Sequence, residues 1–288
     1  MNLSKPVMEL IPQRFSCRTY IDTPIGEAER KKLSSAAESL RKGPRGTPLR
    51  FRLIASTEGD AKGLRGLGTY GFVRGASAFI VGAATVGDGY LEDYGHAMER
   101  LILLATDLGC GTCWLGGSFT RSSFSRAIAV ADAERVPAVA AVGVIPNLEA
   151  ARNGAIRRRV GGGQRLPWES IFFNERFDVP LTREAAGPCA AILDMVRLAP
   201  SASNKQPWRI LREGNAWHFF LQRTPGYGAG LAGRLLKLED VQRVDMGIAM
   251  CHFELTARER GFPGAWAVRA PRMEARGPLM EYSVSWEQ

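Results

Sequence analysis

Two stretches of this 288-residue chain match each other without a gap when Gly95 is aligned with Gly247, 152 positions further on. The matching pairs are Gly95 with Gly247, Ala97 with Ala249, Met98 with Met250, Leu103 with Leu255, Ala105 with Ala257, Gly109 with Gly261 and Trp114 with Trp266. A fixed offset over several positions indicates an internal duplication. We therefore expect two related, interlocked halves, residues 1–160 and 161–288.

Hydrophobic periodicity and turn residues predict the main elements of each half. The strongest helix is expected over 94–108, where Ala97, Leu101 and Leu104 belong to an apolar stripe and Gly109 marks the end. Further helices are predicted over 23–40 and 190–198, strands over 49–56, 78–84 and 138–145, and a short strand with a Gly-rich turn over 111–118.

A polar loop follows the predicted helix at 190–198. It reads A-P-S-A-S-N-K-Q-P-W-R over residues 199–209, and a strand begins at its end. Its prolines disfavour helix, while Ser201, Ser203 and Asn204 offer hydroxyl and amide groups. Such a cluster is typical of a capping turn, and it also suits a loop that binds a ligand. The corresponding loop of the first half, residues 43–48, has no Ser or Asn.

A second cluster near the N-terminus consists of Arg14, Ser16 and Arg18. We expect it at or near the end of a helix, where the two arginines would lie one turn apart on one face. Two guanidinium groups and a hydroxyl would form an anion clamp, and a solvated helix face is the alternative. The second half has Asn174 to Asp178 at the matching position and lacks the clamp.

Three segments together resemble the nitroreductase family of FMN-dependent oxidoreductases. They are R-x-S-x-R at 14–18, G-x-G-T-C-W-x-G at 109–116 and A-P-S-x-x-N-x-Q-P-W at 199–208. The resemblance is to the internally duplicated, single-chain branch called TM nitroreductases. It implies an α+β fold in which two nitroreductase-like α/β halves, each with a mixed, largely antiparallel sheet flanked by helices, form an intramolecular pseudo-dimer.

The resemblance also implies one composite FMN site to which both halves contribute. Arg14 and Ser16 would reach the phosphate and ribityl end, and Arg18 the pyrimidine edge of the ring. Between the halves, Arg159 and Arg165 are the implied phosphate ligands, with Arg157 and Arg158 as further candidates. The remaining implied contacts with the flavin are made by Tyr70, Gly71, Trp114, Leu115, Gly116, Gly117, Pro200, Ser201, Ala202 and Asn204.

The implied activity is transfer of hydride from NADH or NADPH through FMN to a small acceptor such as a nitroaromatic or a quinone. Because the flavin carries this chemistry, no catalytic protein residue is expected. An FMN-binding carrier or sensor without turnover is the alternative. The first half keeps the anion clamp and the second half keeps the polar loop, so one chain would form one complete site as a monomer.

Composition argues against membrane, nucleic-acid-binding, secreted and metal-binding proteins. The hydrophobic content of 45% is typical of a globular protein, and no apolar run is long enough for a bilayer span. The net charge of +9 is dispersed, apart from residues 157–159, which argues against a nucleic-acid partner. Five cysteines and no signal peptide favour a reducing cytoplasm. The C-x-x-C at 110–113 has no partner for a metal site, and the three histidines are expected to be packed or exposed.

Overall fold

The fold is taken from a computed structural model, which describes residues 2–57, 63–147, 163–226, 239–272 and 277–288. In these ranges the chain forms two β-sheets with helices packed on them. Strands from residues 49–143 form one sheet, and strands from residues 172–287 form the other. The predicted boundary near residue 160 lies outside the described residues.

The first half places antiparallel strands beside four described helices. The helices are α1 (Val7–Gln13), α2 (Glu27–Ser39), α3 (Tyr90–Asp107) and α4 (Arg121–Ala127). The strands are β1 (Leu49–Ala55), β2 (Ala78–Thr85), β3 (Gly111–Leu115), β4 (Glu134–Arg135) and β5 (Val139–Gly143). They pair antiparallel in the order β1-β2-β5-β3, with β4 paired to β2. Strand β2 is buried over nearly its whole length because the sheet packs against apolar side chains on both faces.

The second half repeats this plan with a mixed sheet. Its described helices are α5 (Arg183–Ala186), α6 (Ala190–Arg197) and α7 (Val241–Glu259). Its strands are β6 (Phe172–Asn174), β7 (Arg176–Pro180), β8 (Trp208–Glu213), β9 (Ala216–Gln222), β10 (Ala265–Ala267) and β11 (Met280–Glu287). They pair in the order β10-β11-β9-β8-β6-β7, and only the β6–β8 pair among them is parallel. The α+β fold with largely antiparallel sheets is thereby confirmed.

Helices α3 and α7 pack against each other between the two halves. The two glycines that align in the sequence, Gly95 and Gly247, lie at this contact. A Cβ atom on Gly95 would overlap the backbone oxygen of Val244, and one on Gly247 would overlap that of Glu92. The absence of a side chain at both positions lets the helix backbones approach closely. The duplicated glycines therefore account for how the halves join into a pseudo-dimer.

Most predicted elements are confirmed, with small differences at their ends. The helix predicted over 94–108 spans Tyr90–Asp107, and the helix predicted over 190–198 spans Ala190–Arg197. The helix predicted over 23–40 begins later, at Glu27, because the backbone of Gly26 is extended with ψ of 153°. The strands predicted over 49–56, 78–84, 111–118 and 138–145 are all present.

Candidate functional site

A cleft of about 850 Å³ lies where the two halves meet. Its size is in the range of pockets that bind cofactors, roughly 300–1,000 Å³. It is lined by Arg14, Ser16, Arg18, Tyr70, Phe72, Cys113, Trp114, Leu115, Gly116, Gly117, Ser118, Phe119, Arg121, Arg165, Pro200, Ser201, Ala202, Ser203, Asn204 and Val241. The cleft thus joins the anion clamp of the first half to the polar loop of the second.

The anion clamp is extended, so the predicted helical geometry is wrong. Helix α1 ends at Gln13, and Arg14 already has extended backbone angles. Ser16 forms a parallel bridge with Thr112 at the edge of β3, and the Cys17 N–H donates to the Thr112 carbonyl at 2.8 Å. Pairing with the sheet edge gives a side-chain period of two, which places Arg14, Ser16 and Arg18 together in the cleft.

The alternate side chains of this segment are apolar and hold it in place. Phe15 and Cys17 are 5% and 0% exposed and belong to the core on one face of the first sheet. Their burial fixes the direction in which the intervening polar residues point.

Arg14 is a buried cation in the cleft wall. It is 8% exposed, and its Nε atom lies 3.6 Å from Glu99 Oε1. Burial lowers the pKa of Arg14, and the nearby charge of Glu99 opposes this effect. Among the described residues, Arg14 Nε has no hydrogen-bond partner. Because Arg14 also lines the cleft, its charge can act on an anionic ligand there.

Strand β3 and the turn after it form a second wall. The Trp114 indole N–H donates to Glu99 Oε2 at 2.7 Å, which fixes the ring at the cleft. Gly116 faces Val241 from the second half, and a Cβ atom there would lie 2.8 Å from Val241 Cγ1. Glycine is therefore required for the close approach of this turn to α7.

The polar loop of the second half has an unusual backbone that its own hydrogen bonds hold. Ser203, Asn204 and Gln206 have positive φ values of 50°, 55° and 49°. The Gln206 N–H donates to Ser201 Oγ at 2.8 Å, and the Gln206 side chain accepts from the Leu166 N–H at 2.9 Å. Such conformations cost of order 1–3 kcal/mol each and persist where surrounding contacts determine them, commonly at binding sites.

Asn204 also joins this loop to the connection between the halves. Its Oδ1 accepts from Arg165 Nη1 at 3.2 Å, and its Nδ2 donates to the Gln164 carbonyl at 3.1 Å. Arg165 Nη2 in turn donates to the Leu198 carbonyl at 3.2 Å. These contacts hold the Arg165 guanidinium beside the loop, where both residues line the cleft.

A buried aspartate on α7 holds the start of the loop. The Ala202 N–H donates to both carboxyl oxygens of Asp245 at 3.1 Å. In the first half Asp93, which lies 152 positions earlier, accepts from the N–H groups of Arg45 and Thr47 at 2.9 Å. The duplication therefore extends to an aspartate that holds the loop in each half. Sequence reasoning missed both residues, although the offset pairs them.

The structure brings together most of the residues that the sequence assigned to the site. Gly71 is not among the lining residues, and its φ of 74° lets the chain turn between Tyr70 and Phe72, which both line the cleft. Arg157, Arg158 and Arg159 lie outside the described residues. Sequence reasoning missed six lining residues: Phe72, Cys113, Ser118, Phe119, Arg121 and Val241.

The C-x-x-C residues do not act as a pair. Cys110 packs in the core that includes α3, whereas Cys113 packs in the core on the opposite face of the sheet. Burial raises the pKa of both thiols to about 11, which disfavours thiolate chemistry. Within the described ranges no group of three metal-ligating side chains is present. In the same ranges no helix is long and apolar enough to cross a bilayer.

Known proteins that resemble this chain are nitroreductases or are described as such. The family model described as "Putative TM nitroreductase" matches residues 6–257. A solved structure from Thermotoga maritima, described as a "putative nitroreductase", is 21% identical over 99% of this chain and 95% of that chain. Its TM-score of 0.59 shows that the two proteins share the fold. No curated protein matches the chain.

Other similar structures cover about half of the chain. A nitroreductase family protein from Clostridium difficile 630 is 20% identical over 53% of this chain and 92% of that chain, with a TM-score of 0.39. A protein from Desulfovibrio desulfuricans described as a "putative nitroreductase in complex with FMN" is 24% identical over 50% of this chain and 89% of that chain, with a TM-score of 0.40. The family model matches most of the length of this chain, so the chain belongs to the nitroreductase family, in the branch described as TM nitroreductases.

Proposed function

We propose that this protein is an FMN-dependent oxidoreductase that takes hydride from NADH or NADPH and passes it to a small acceptor such as a nitroaromatic or a quinone. The observation that carries the proposal is the cleft, which places the anion clamp of one half opposite the polar loop of the other. Family membership supports the same reaction class.

The residues of the cleft fit FMN by charge and by shape. Arg14 and Arg165 would hold the phosphate, which is close to dianionic at neutral pH and prefers guanidinium partners. Both arginines line the cleft, and Arg14 is 8% exposed, so water would screen its charge little from a bound phosphate. Ser16 would contact the ribityl end, and Pro200 and Trp114 offer apolar surface to a planar ring.

Bound FMN would supply the hydride chemistry, and the protein would tune and shelter it. Arg18 would lie at the pyrimidine edge, where a positive charge stabilises the electron-rich reduced ring. Its Nη1 donates to the Ser16 carbonyl at 3.4 Å, which orients the guanidinium along the clamp. Tyr70 and Phe72 are exposed by 69% and 47% and line the cleft, where they could cover a bound acceptor.

The decisive experiment is the visible spectrum of the purified protein after incubation with FMN and removal of free flavin. We expect a bound flavin band at about 450 nm. NADH or NADPH should bleach this band under anaerobic conditions, and a nitroaromatic or a quinone should restore it. A protein that retains no FMN would refute the proposal. Retention of FMN without bleaching by either nicotinamide would instead indicate an FMN carrier or sensor.

A further inference from the structure

A buried carboxylate outside the sequence motifs lies behind two residues of the cleft wall. Glu99 on α3 is 0% exposed. One of its oxygens accepts the indole N–H of Trp114 at 2.7 Å, and the other lies 3.6 Å from Arg14 Nε. A charge buried to this extent requires compensation by groups of opposite charge.

The second half supplies a histidine to this carboxylate. His252 on α7 is 0% exposed, and its Nε2 lies 3.0 Å from Glu99 Oε1. Its Nδ1 lies 2.9 Å from the Met195 carbonyl, which can only accept, so Nδ1 carries a proton. Nε2 faces a carboxylate that also accepts the Trp114 N–H, so both ring nitrogens of His252 lie beside acceptors. An imidazolium, which has a proton on each ring nitrogen, suits this pair of acceptors.

A second cluster contains the same residue types with the roles of the halves exchanged, and the 152-residue offset pairs only its tryptophan with that of the first. Glu254 on α7 accepts from the Trp266 indole N–H at 2.8 Å and lies 2.8 Å from His96 Nε2 on α3. Burial opposes ionisation of Glu254, yet the hydrogen bond and charge of His96 lower its pKa to about 2. The cation of this second cluster is Arg258, whose side chain is 56% exposed. None of these four residues is among those that line the cleft.

The difference between the two clusters lies in what their arginines face. In the second cluster Arg258 faces solvent and is not among the residues that line the cleft. In the first cluster Arg14 lines the cleft, and Glu99 alone would neutralise it. The imidazolium of His252 leaves the group of three with one net positive charge.

We propose that His252 is a positioning residue that neutralises Glu99 and so keeps the charge of Arg14 available to an anionic group in the cleft. This inference rests on the proposed function, because the anionic group concerned is the FMN phosphate. Without His252, Glu99 would hold Arg14 as its own ion-pair partner. The clamp would then attract the phosphate more weakly, whereas the contacts of the cleft with the uncharged flavin ring would be unchanged.

The test compares the binding of FMN with that of riboflavin, which lacks the phosphate, by flavin fluorescence titration. His252→Gln should weaken FMN binding about tenfold and leave riboflavin binding within about twofold of wild type. His96→Gln is the matched control, since it disturbs the second cluster, and it should leave the affinity for both flavins within about twofold.

A double variant separates charge from structure. Adding Glu99→Gln to His252→Gln removes the excess negative charge and should restore FMN affinity to within about threefold of wild type. Unchanged FMN binding in His252→Gln would overturn the inference, as would equal losses for FMN and riboflavin or failure of the double variant to recover. A wild-type protein that binds no FMN would instead overturn the proposed function, and this inference with it.

Discussion

Asp245 shows what can be learned only at the scale of single residues in three dimensions. The motif residues of the cleft, such as Ser16 and Asn204, are recognisable in the sequence because their spacing is local. Asp245 and Glu99 are each one acidic residue in a long helix, and nothing beside them in the sequence marks them as buried. Their roles come from contacts with residues 43 positions and 15 positions away.

Asp245 also makes folding stability depend on pH. Burial raises its pKa well above that of an ordinary aspartate, although the hydrogen bond from the Ala202 N–H favours the carboxylate. A pKa that is higher in the folded state means that this residue's contribution to stability is complete at low pH and is lost as the pH rises through the folded value.

Asp245→Asn keeps an acceptor for the Ala202 N–H but does not titrate. We expect its free energy of unfolding, relative to wild type, to rise between about pH 5 and about pH 8, as measured by urea denaturation. Asp132→Asn, at an exposed position, is the control and should show a difference that does not vary with pH. A constant difference for Asp245→Asn would show that the buried carboxyl does not ionise in this range.

At the scale of elements, periodicity predicts most helices and strands but not the conformation of residues 14–18. A helix there would also have paired Arg14 with Arg18, so the local sequence is compatible with both conformations. The choice is made by the edge of β3, which offers Thr112 as a backbone partner, and by burial of Phe15. Neither is visible locally, because β3 lies about a hundred residues further along the chain.

The crossing of α3 and α7 gives a prediction at this scale. Gly247→Ala would place a Cβ atom against the Glu92 backbone oxygen and should destabilise the protein by about 2 kcal/mol. Helix propensity acts in the opposite direction, since alanine is favoured over glycine by about 1 kcal/mol within a helix. A loss of stability in Gly247→Ala would therefore come from the contact between α3 and α7, because helix propensity alone would increase stability.

The matched control for this crossing is Gly87→Ala. A Cβ atom on Gly87 would meet nothing within 4 Å. Its free energy of unfolding, from urea denaturation, should stay within about 0.5 kcal/mol of wild type. A Gly247→Ala protein that is as stable as this control, or more stable, would show that α3 and α7 do not approach each other as closely as described.

At the scale of the whole molecule, the clamp and the polar loop each occur in only one half of the duplicated chain. In the second half, the residues at the clamp position, 174–178, belong mostly to strands β6 and β7. Arg176 there forms an ion pair with Asp178 at 2.6 Å. The loop of the first half carries Arg45, whose side chain is 7% exposed and pairs with Asp88 at 3.0 Å. Each half thus has an ion pair at the position where the other half has the clamp or the polar loop of the cleft.

This complementarity predicts one FMN per chain, held jointly by both halves. Titration of the purified protein with FMN, followed by flavin fluorescence, should saturate at one equivalent. Arg14→Gln removes charge-assisted hydrogen bonds worth about 1.5–3 kcal/mol and should weaken binding by about tenfold or more. Asn204→Ala should also weaken binding, because it releases both Arg165 and the loop backbone from their contacts.

Arg176→Gln is the control for the arginine variant, because it changes an arginine at the clamp position of the half that lacks the clamp. Its FMN affinity should stay within about twofold of wild type, since its ion pair with Asp178 is exposed. Saturation at two equivalents would mean that FMN also binds where the loop of the first half, residues 43–48, meets the clamp position of the second half, residues 174–178. Normal affinity in both Arg14→Gln and Asn204→Ala would mean that the flavin site is not shared, and the pseudo-dimer would then need a different functional explanation.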